Sequence, residues 1–136
     1  MGDDVIIAKA AIIERCVARA REERNASSDF LNDYTRQDAA ILNIERACDA
    51  AIDLANRIIR RQALGAPGAS RESFVLLEKA AIISADLSTR LQRMVGFRNI
   101  AIHQYETLDI AIVAAVIRDR LDDLLEFKSI ALRLDP

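Results

Sequence analysis

Length, composition and charge exclude several classes of protein. The 136 residues suffice for one domain with a real core, and a composition with two prolines and 4% aromatic residues favours helix over sheet. A formal net charge of -2 excludes a generally basic surface that would capture nucleic acid along its whole length. We therefore expect a single all-α domain over residues 1–136, with only local contacts to nucleic acid.

Membrane insertion and disulfide scaffolding are also disfavoured. No stretch approaches the roughly twenty apolar residues of a membrane span, and Asp3 and Asp4 stand where a signal peptide is basic. Cys16 and Cys48 are too few and too far apart for a disulfide framework or a metal knuckle, and each sits within an apolar helical pattern. The sequence predicts a cytoplasmic protein with two reduced core thiols, no membrane contact, no metal and no cofactor.

The first predicted helix runs from Val5 to about Arg24, because apolar residues recur there every three or four positions. The segment "NASSD" at 25–29 breaks this pattern. The next six residues, "FLNDYT", have no clear period, so they are predicted as a loop or a single irregular turn.

A long second helix is predicted to begin after Thr35 as N-cap, with Asp38 in a weak form of the capping box. Its apolar stripe continues to Leu64. Gly65 and Pro67 should stop it, because glycine tolerates a left-handed C-terminal turn and proline cannot continue the hydrogen-bond ladder.

Three further helices are predicted, each from a hydroxyl side chain placed before an apolar stripe: Ser70 for a short third helix, Ser84 for the fourth and Thr107 for the fifth. Connections between helices are short, and short connections favour antiparallel neighbours. The predicted architecture is an up-and-down bundle of four main helices with one short extra helix.

The stretch "GFRNIAIHQYETLD" at 96–109, which ends the fourth predicted helix, contains the only histidine. At about 100° per residue, Arg98 and His103 point about 140° apart, whereas Asn99 shares a face with His103 and Tyr105 shares one with Arg98. If Arg98 and His103 serve one site, either the helix ends or bends between them or a second copy of the chain completes the site.

These four residue types suit phosphate chemistry. Arginine forks onto phosphate oxygens and stabilises charge in a transition state, while histidine exchanges protons near neutral pH. RNA carries its own nucleophile, the 2′-hydroxyl, so such a site would cleave it without a metal. A two-fold dimer would supply the second histidine needed if one acts as base and another as acid.

The residues "RNIAIHQY" resemble the R-x-x-x-x-H-x-Y motif of the HepT-like branch of the HEPN family. The similarity extends to "QDAAILNIERACDAAIDLANRII" at 37–59 and to "LDDLLEF" near the C-terminus. The resemblance implies a HEPN-like helical bundle that forms a homodimer around a shared cleft. It also implies a metal-independent endoribonuclease toxin, neutralised by a nucleotidyltransferase antitoxin of the MNT type.

Carried over residue by residue, the resemblance makes Arg98 and His103 catalytic and Asn99 a polar positioning group between them. Tyr105 matches the tyrosine that the partner enzyme can modify with AMP.

An acidic residue four before a basic one is also typical of the family's second helix, and Asp53 and Arg57 match it here as supporting residues. Asp53 would orient a catalytic side chain, or the two would form a surface ion pair worth a few tenths of a kcal/mol. Arg46 and Asp49 lie near the same predicted face and are weaker candidates.

The resulting hypothesis is a toxin that cleaves RNA through attack of a 2′-hydroxyl on the adjacent phosphodiester. The alternative is a non-catalytic helical partner of a minimal nucleotidyltransferase that holds a nucleotide with the same polar groups. The near-neutral charge and few aromatic residues favour the alternative, since single-stranded RNA is usually bound by basic grooves and aromatic platforms. The Arg-to-His motif favours the toxin.

Overall fold

Helices make up most of residues 3–134, the part of the chain that the computed structural model describes. Within these residues there are six α-helices and no strand: α1 Asp4–Ala26, α2 Tyr34–Gln62, α3 Ser70–Lys79, α4 Ala85–His103, α5 Ile110–Asp119 and α6 Leu121–Leu134. Two short 3₁₀ turns, Phe30–Asn32 and Tyr105–Thr107, connect them. The predicted all-α bundle, including the irregular turn after the first helix, is confirmed.

Aspartates, more often than the predicted hydroxyl residues, cap the helices. Ser84 caps α4 as predicted, its Oγ accepting from the N–H of Leu87 at 3.1 Å. The predicted cap at Thr35 is wrong, since α2 begins at Tyr34 and its cap is Asp33, which accepts from the N–H of Arg36. An aspartate caps as well as a threonine and adds a negative charge that the positive end of the helix dipole favours.

The other two predicted caps are also wrong. Ser70 is the first residue of α3, which follows Ala69 and has no side-chain cap. Thr107 ends a 3₁₀ turn, and Asp109 caps α5 by accepting from the N–H of Ala111 at 2.9 Å.

The second helix ends slightly before its predicted boundary. Ala63 takes the left-handed step at φ 53°, and its N–H bonds back to the carbonyls of Ile59 and Arg60. The sequence assigned that turn to Gly65, which has positive φ as well, at 120°, but lies two residues further on.

The single fifth helix predicted from the sequence is two helices. Arg120, at φ -118° and ψ -15°, separates α5 from α6, and its carbonyl accepts from the N–H of Asp123 at 3.1 Å. Asp122 and Asp123 lie in the first turn of α6, where acidic side chains favour a helix start.

The core is built around α2, which contacts α1 along its length and also packs against α3, α4 and α6. Phe74 and Phe127 meet edge to face with ring centroids 5.4 Å apart, and truncating such buried rings typically costs about 3–5 kcal/mol. Cys16 and Cys48 are free and buried, as predicted. Over residues 3–134, no helix combines the length and apolar character that crossing a membrane requires.

Candidate active site at the end of the fourth helix

Helix α4 runs without interruption through both motif residues and ends at His103. The N–H of Gln104 still bonds to the carbonyl of Ile100 at 2.8 Å, so helical geometry persists past the histidine. Arg98 and His103 therefore point about 140° apart on one helix. The helix therefore does not end between these residues, which favours the other alternative left by the sequence, a site completed by a second copy of the chain.

Arg98 faces α2 and is held by two acceptors. Its Nε donates to Asp49 Oδ1 at 2.8 Å, and its Nη1 donates to Asn99 Oδ1 at 3.1 Å. The side chain remains 27% exposed, so its outer edge is open to an anion. Asp49, only a weak candidate from the sequence, thus orients the guanidinium, and Asn99 assists it.

Two side chains of α2, the half-buried Glu45 and the buried Cys48, lie beside the Arg98–Asp49 ion pair. Burial raises the pKa of the Glu45 carboxyl and the Asp49 charge raises it further, while Arg98 lowers it. Burial also raises the pKa of Cys48 to about 12, and its Sγ faces the carbonyl of Met94 at 3.9 Å. The Cys48 thiol is therefore protonated at neutral pH and is no nucleophile.

His103 is exposed and borders a surface depression formed with residues 102–107. Neither ring nitrogen hydrogen-bonds to a residue between 3 and 134, so both are open to a substrate. Within the same residues, no cluster of three or more His, Cys, Asp or Glu side chains is arranged to hold a metal ion.

Tyr105 lies in the turn that follows α4 and also faces α2. Its hydroxyl donates to Asp38 Oδ1, while 46% of the residue remains exposed. Asp38 and Asp49 are eleven residues apart, or about three helical turns, so Tyr105 and Arg98 approach the same face of α2 about 16 Å apart along its axis. Sequence patterns assign Asp38 only a capping role, and no local pattern indicates a partner 67 positions away.

Exposed apolar side chains lie on the same surface as the Arg98–Asp49 and Tyr105–Asp38 contacts, which join α4 and the turn after it to α2. Leu42, 44% exposed, follows Asp38 by one turn of α2, and Ile102, 40% exposed, follows Arg98 by one turn of α4. We call this surface, comprising Asp38, Leu42, Asp49, Arg98 and Ile102, the α2–α4 face.

The suggested supporting residues pair with the first helix and its N-cap. Lys9 Nζ bonds to Asp53 Oδ2 at 2.9 Å, and Arg57 Nε bonds to Asp3 Oδ2 at 2.8 Å. The alternative of an ion pair between Asp53 and Arg57 is therefore not found, because α1 packs along α2 and offers each of them another partner. Neither residue contacts the motif among the described hydrogen bonds, and their supporting role stays a prediction.

Residues 11–130 match the family described as "Ribonuclease HepT-like". The chain belongs to this family. Its HepT-like relatives include a protein of Shewanella oneidensis named mRNA nuclease HepT, 46% identical over 125 residues that cover 92% of this chain and 94% of the relative. A more distant relative from Aphanizomenon flos-aquae, named tRNA nuclease HepT, is 24% identical over 77% of this chain and 72% of its own length.

The HepT-like fold also matches a solved structure. That structure is described as a tri-AMPylated Shewanella oneidensis HEPN toxin in complex with an MNT antitoxin. It superposes with a TM-score of 0.92 at 44% identity and covers 96% of this chain and 98% of the toxin chain. The sequence-based assignment to the HepT-like branch is confirmed.

Proposed function

We propose that this HepT-like chain is the toxin of a HEPN/MNT toxin–antitoxin pair and an endoribonuclease. The observation that carries the proposal is the pairing on one helix of an oriented, partly exposed Arg98 with an exposed His103 whose nitrogens have no partner among residues 3–134. The mRNA and tRNA nucleases among its relatives support RNA as the substrate.

The chemistry follows from these side chains. An RNA 2′-hydroxyl attacks the adjacent phosphorus, and the 5′-oxygen of the next nucleotide leaves, giving a 2′,3′-cyclic phosphate and a free 5′-hydroxyl. His103 exchanges the proton of the attacking or leaving oxygen, and Arg98 stabilises the extra charge of the phosphorane. Asn99 positions Arg98 through its hydrogen bond.

The active unit is a homodimer. Because Arg98 and His103 diverge on a continuous helix, one chain cannot readily direct both at one phosphate, whereas a two-fold axis brings a second copy of each to a shared cleft. The exposed Leu42 and Ile102 of the α2–α4 face are the candidate contacts between the two copies.

We expect the purified chain to sediment as a dimer at micromolar concentration. Ile102→Asp should weaken association about tenfold or more, the effect of losing about 1.4 kcal/mol, and should reduce RNA cleavage in parallel. Ile112→Asp is the matched control, because Ile112 is 52% exposed on α5, outside the α2–α4 face. A stable monomer with full ribonuclease activity would exclude the two-chain site.

Cleavage should not require a divalent metal, because Arg98 provides the positive charge that a metal ion would otherwise supply. A short unstructured RNA incubated with the chain in EDTA should give products ending in a 2′,3′-cyclic phosphate. A metal-dependent nuclease in the same buffer serves as control. Loss of cleavage in EDTA with recovery on adding Mg²⁺ would refute the metal-free mechanism, and RNA left intact in both buffers would favour a nucleotide-binding module.

The proposed neutralising partner is an MNT-type nucleotidyltransferase that transfers AMP from ATP to Tyr105. The AMPylated state of the HEPN toxin from Shewanella oneidensis supports this modification. The half-exposed Tyr105 side chain in this chain is open to a second enzyme.

A further inference from the structure

The hydrogen bond between Tyr105 and Asp38 sits at the protein surface. The Tyr105 hydroxyl is the donor and Asp38 Oδ1 the acceptor, and both residues are exposed. This is the only side-chain hydrogen bond of the Asp38 carboxylate within residues 3–134, and no cation there forms an ion pair with it. Asp49 and Asp53, further along the same helix, are occupied by Arg98 and Lys9.

A tyrosine hydroxyl needs help to act as a nucleophile. Phenols of ordinary acidity have a pKa of about 10 and are almost fully protonated at neutral pH. Nucleophilic hydroxyls are therefore usually activated by an adjacent general base within hydrogen-bond reach. Asp38 is in that position before any partner binds.

We propose that Asp38 is the catalytic base for AMP transfer to Tyr105, so that the toxin supplies part of the chemistry of its own neutralisation. This inference rests on the modification of Tyr105 proposed above. It adds a residue of this chain to a reaction that the partner would otherwise catalyse alone.

The transfer forms one bond to phosphorus and breaks another. The Tyr105 oxygen forms a bond to the α-phosphorus of ATP, and the bond from that phosphorus to the bridging oxygen breaks, releasing pyrophosphate. The phenolic proton passes to Asp38 Oδ1 as the new bond forms and is then lost to water. While Asp38 holds the proton it is neutral, so it does not repel the phosphate as the bond to Tyr105 forms.

Asparagine separates this role from simple positioning of the ring. In Asp38→Asn the amide oxygen still accepts a hydrogen bond from the Tyr105 hydroxyl, but it cannot take up the proton. In Asp38→Ala both capacities are lost. If Asp38 is a base, both variants should accept AMP slowly. If Asp38 only positions the ring, only Asp38→Ala should accept AMP slowly.

The test uses the purified chain, its cognate nucleotidyltransferase and ATP, with the first AMP adduct timed by intact mass. Asp38→Asn and Asp38→Ala should each slow this first transfer by about 100-fold or more, the usual contribution of a general base. Asp38→Glu, which keeps a carboxylate, should retain more of the rate than Asp38→Asn. Glu106→Gln removes a negative charge next to Tyr105 but leaves Asp38 as the acceptor of the Tyr105 hydroxyl, so it should keep the wild-type rate. Sedimentation of each variant with the partner should give the same complex.

An Asp38→Asn variant modified at the wild-type rate would refute the role of Asp38 as the base. Failure of the wild-type chain to gain AMP would overturn the modification and, with it, the role of Asp38. RNA cleavage by the same wild-type preparation distinguishes that failure from failure of the ribonuclease function.

Discussion

Arg98→Ala and His103→Ala are each expected to lower RNA cleavage by on the order of 100-fold or more, the scale of losing charge stabilisation or an acid–base group. Arg98→Ala removes the guanidinium that stabilises the charge of the phosphorane. In His103→Ala, no other histidine remains in the chain to take over the proton transfer. Initial rates on a short RNA, measured with equal amounts of folded protein, test both.

Two variants on or next to the same helix provide controls. Arg93→Ala removes an exposed arginine of α4 that has no partner among residues 3–134, and Gln104→Ala changes the neighbour of the histidine. Both should keep activity. The Arg98–Asp49 pair is partly exposed and contributes about 1 kcal/mol or less to stability, so the helical signal of Arg98→Ala should persist. A loss of helical signal that matched the loss of activity would indicate a structural role instead.

Co-expression with the cognate nucleotidyltransferase should add one or more adenylate units to Tyr105 and abolish RNA cleavage. Each unit adds bulk and negative charge on the α2–α4 face, where an RNA phosphate must approach Arg98, and both oppose binding of a polyanion. Tyr105→Phe should remain unmodified and active in the presence of the partner. Peptide mass spectrometry locates the adduct.

The other tyrosine of the chain is the natural control. Tyr34 is 75% exposed, more than Tyr105, so a modification governed by exposure alone would favour it. Tyr34→Phe should be modified and neutralised like the wild type. An unmodified Tyr105 in a fully neutralised complex would mean that inhibition works by binding alone.

Local signals in the sequence predicted the helices well and their ends less well. Apolar periodicity located all the long helices, because the stripe that packs on the core repeats with the helical turn. Caps at Thr35 and Thr107 were wrong because nearby aspartates compete for the same backbone N–H groups. The break at Arg120 was missed because the apolar stripe continues across it.

The motif residues were identifiable from spacing and family resemblance, but their partners were not. Asp49 lies 49 positions from Arg98, and Asp38 lies 67 positions from Tyr105. Such pairs depend on how α4 packs against α2, which periodicity does not encode. For the same reason, the sequence could suggest only Arg57, on the same helix, as an ion-pair partner for Asp53, whereas the partner in the structure is Lys9 on α1.

The unbroken course of α4 through His103 has a consequence for gene dosage. If the proposed two-chain site is right, a lone copy, whose Arg98 and His103 diverge on one continuous helix, cannot cleave RNA until it meets another copy. Well below the dissociation constant of the pair, the concentration of active enzyme rises with the square of the expression level. On the same proposal, leaky synthesis of a few copies is tolerated by dilution alone, and toxicity begins abruptly once the copies accumulate.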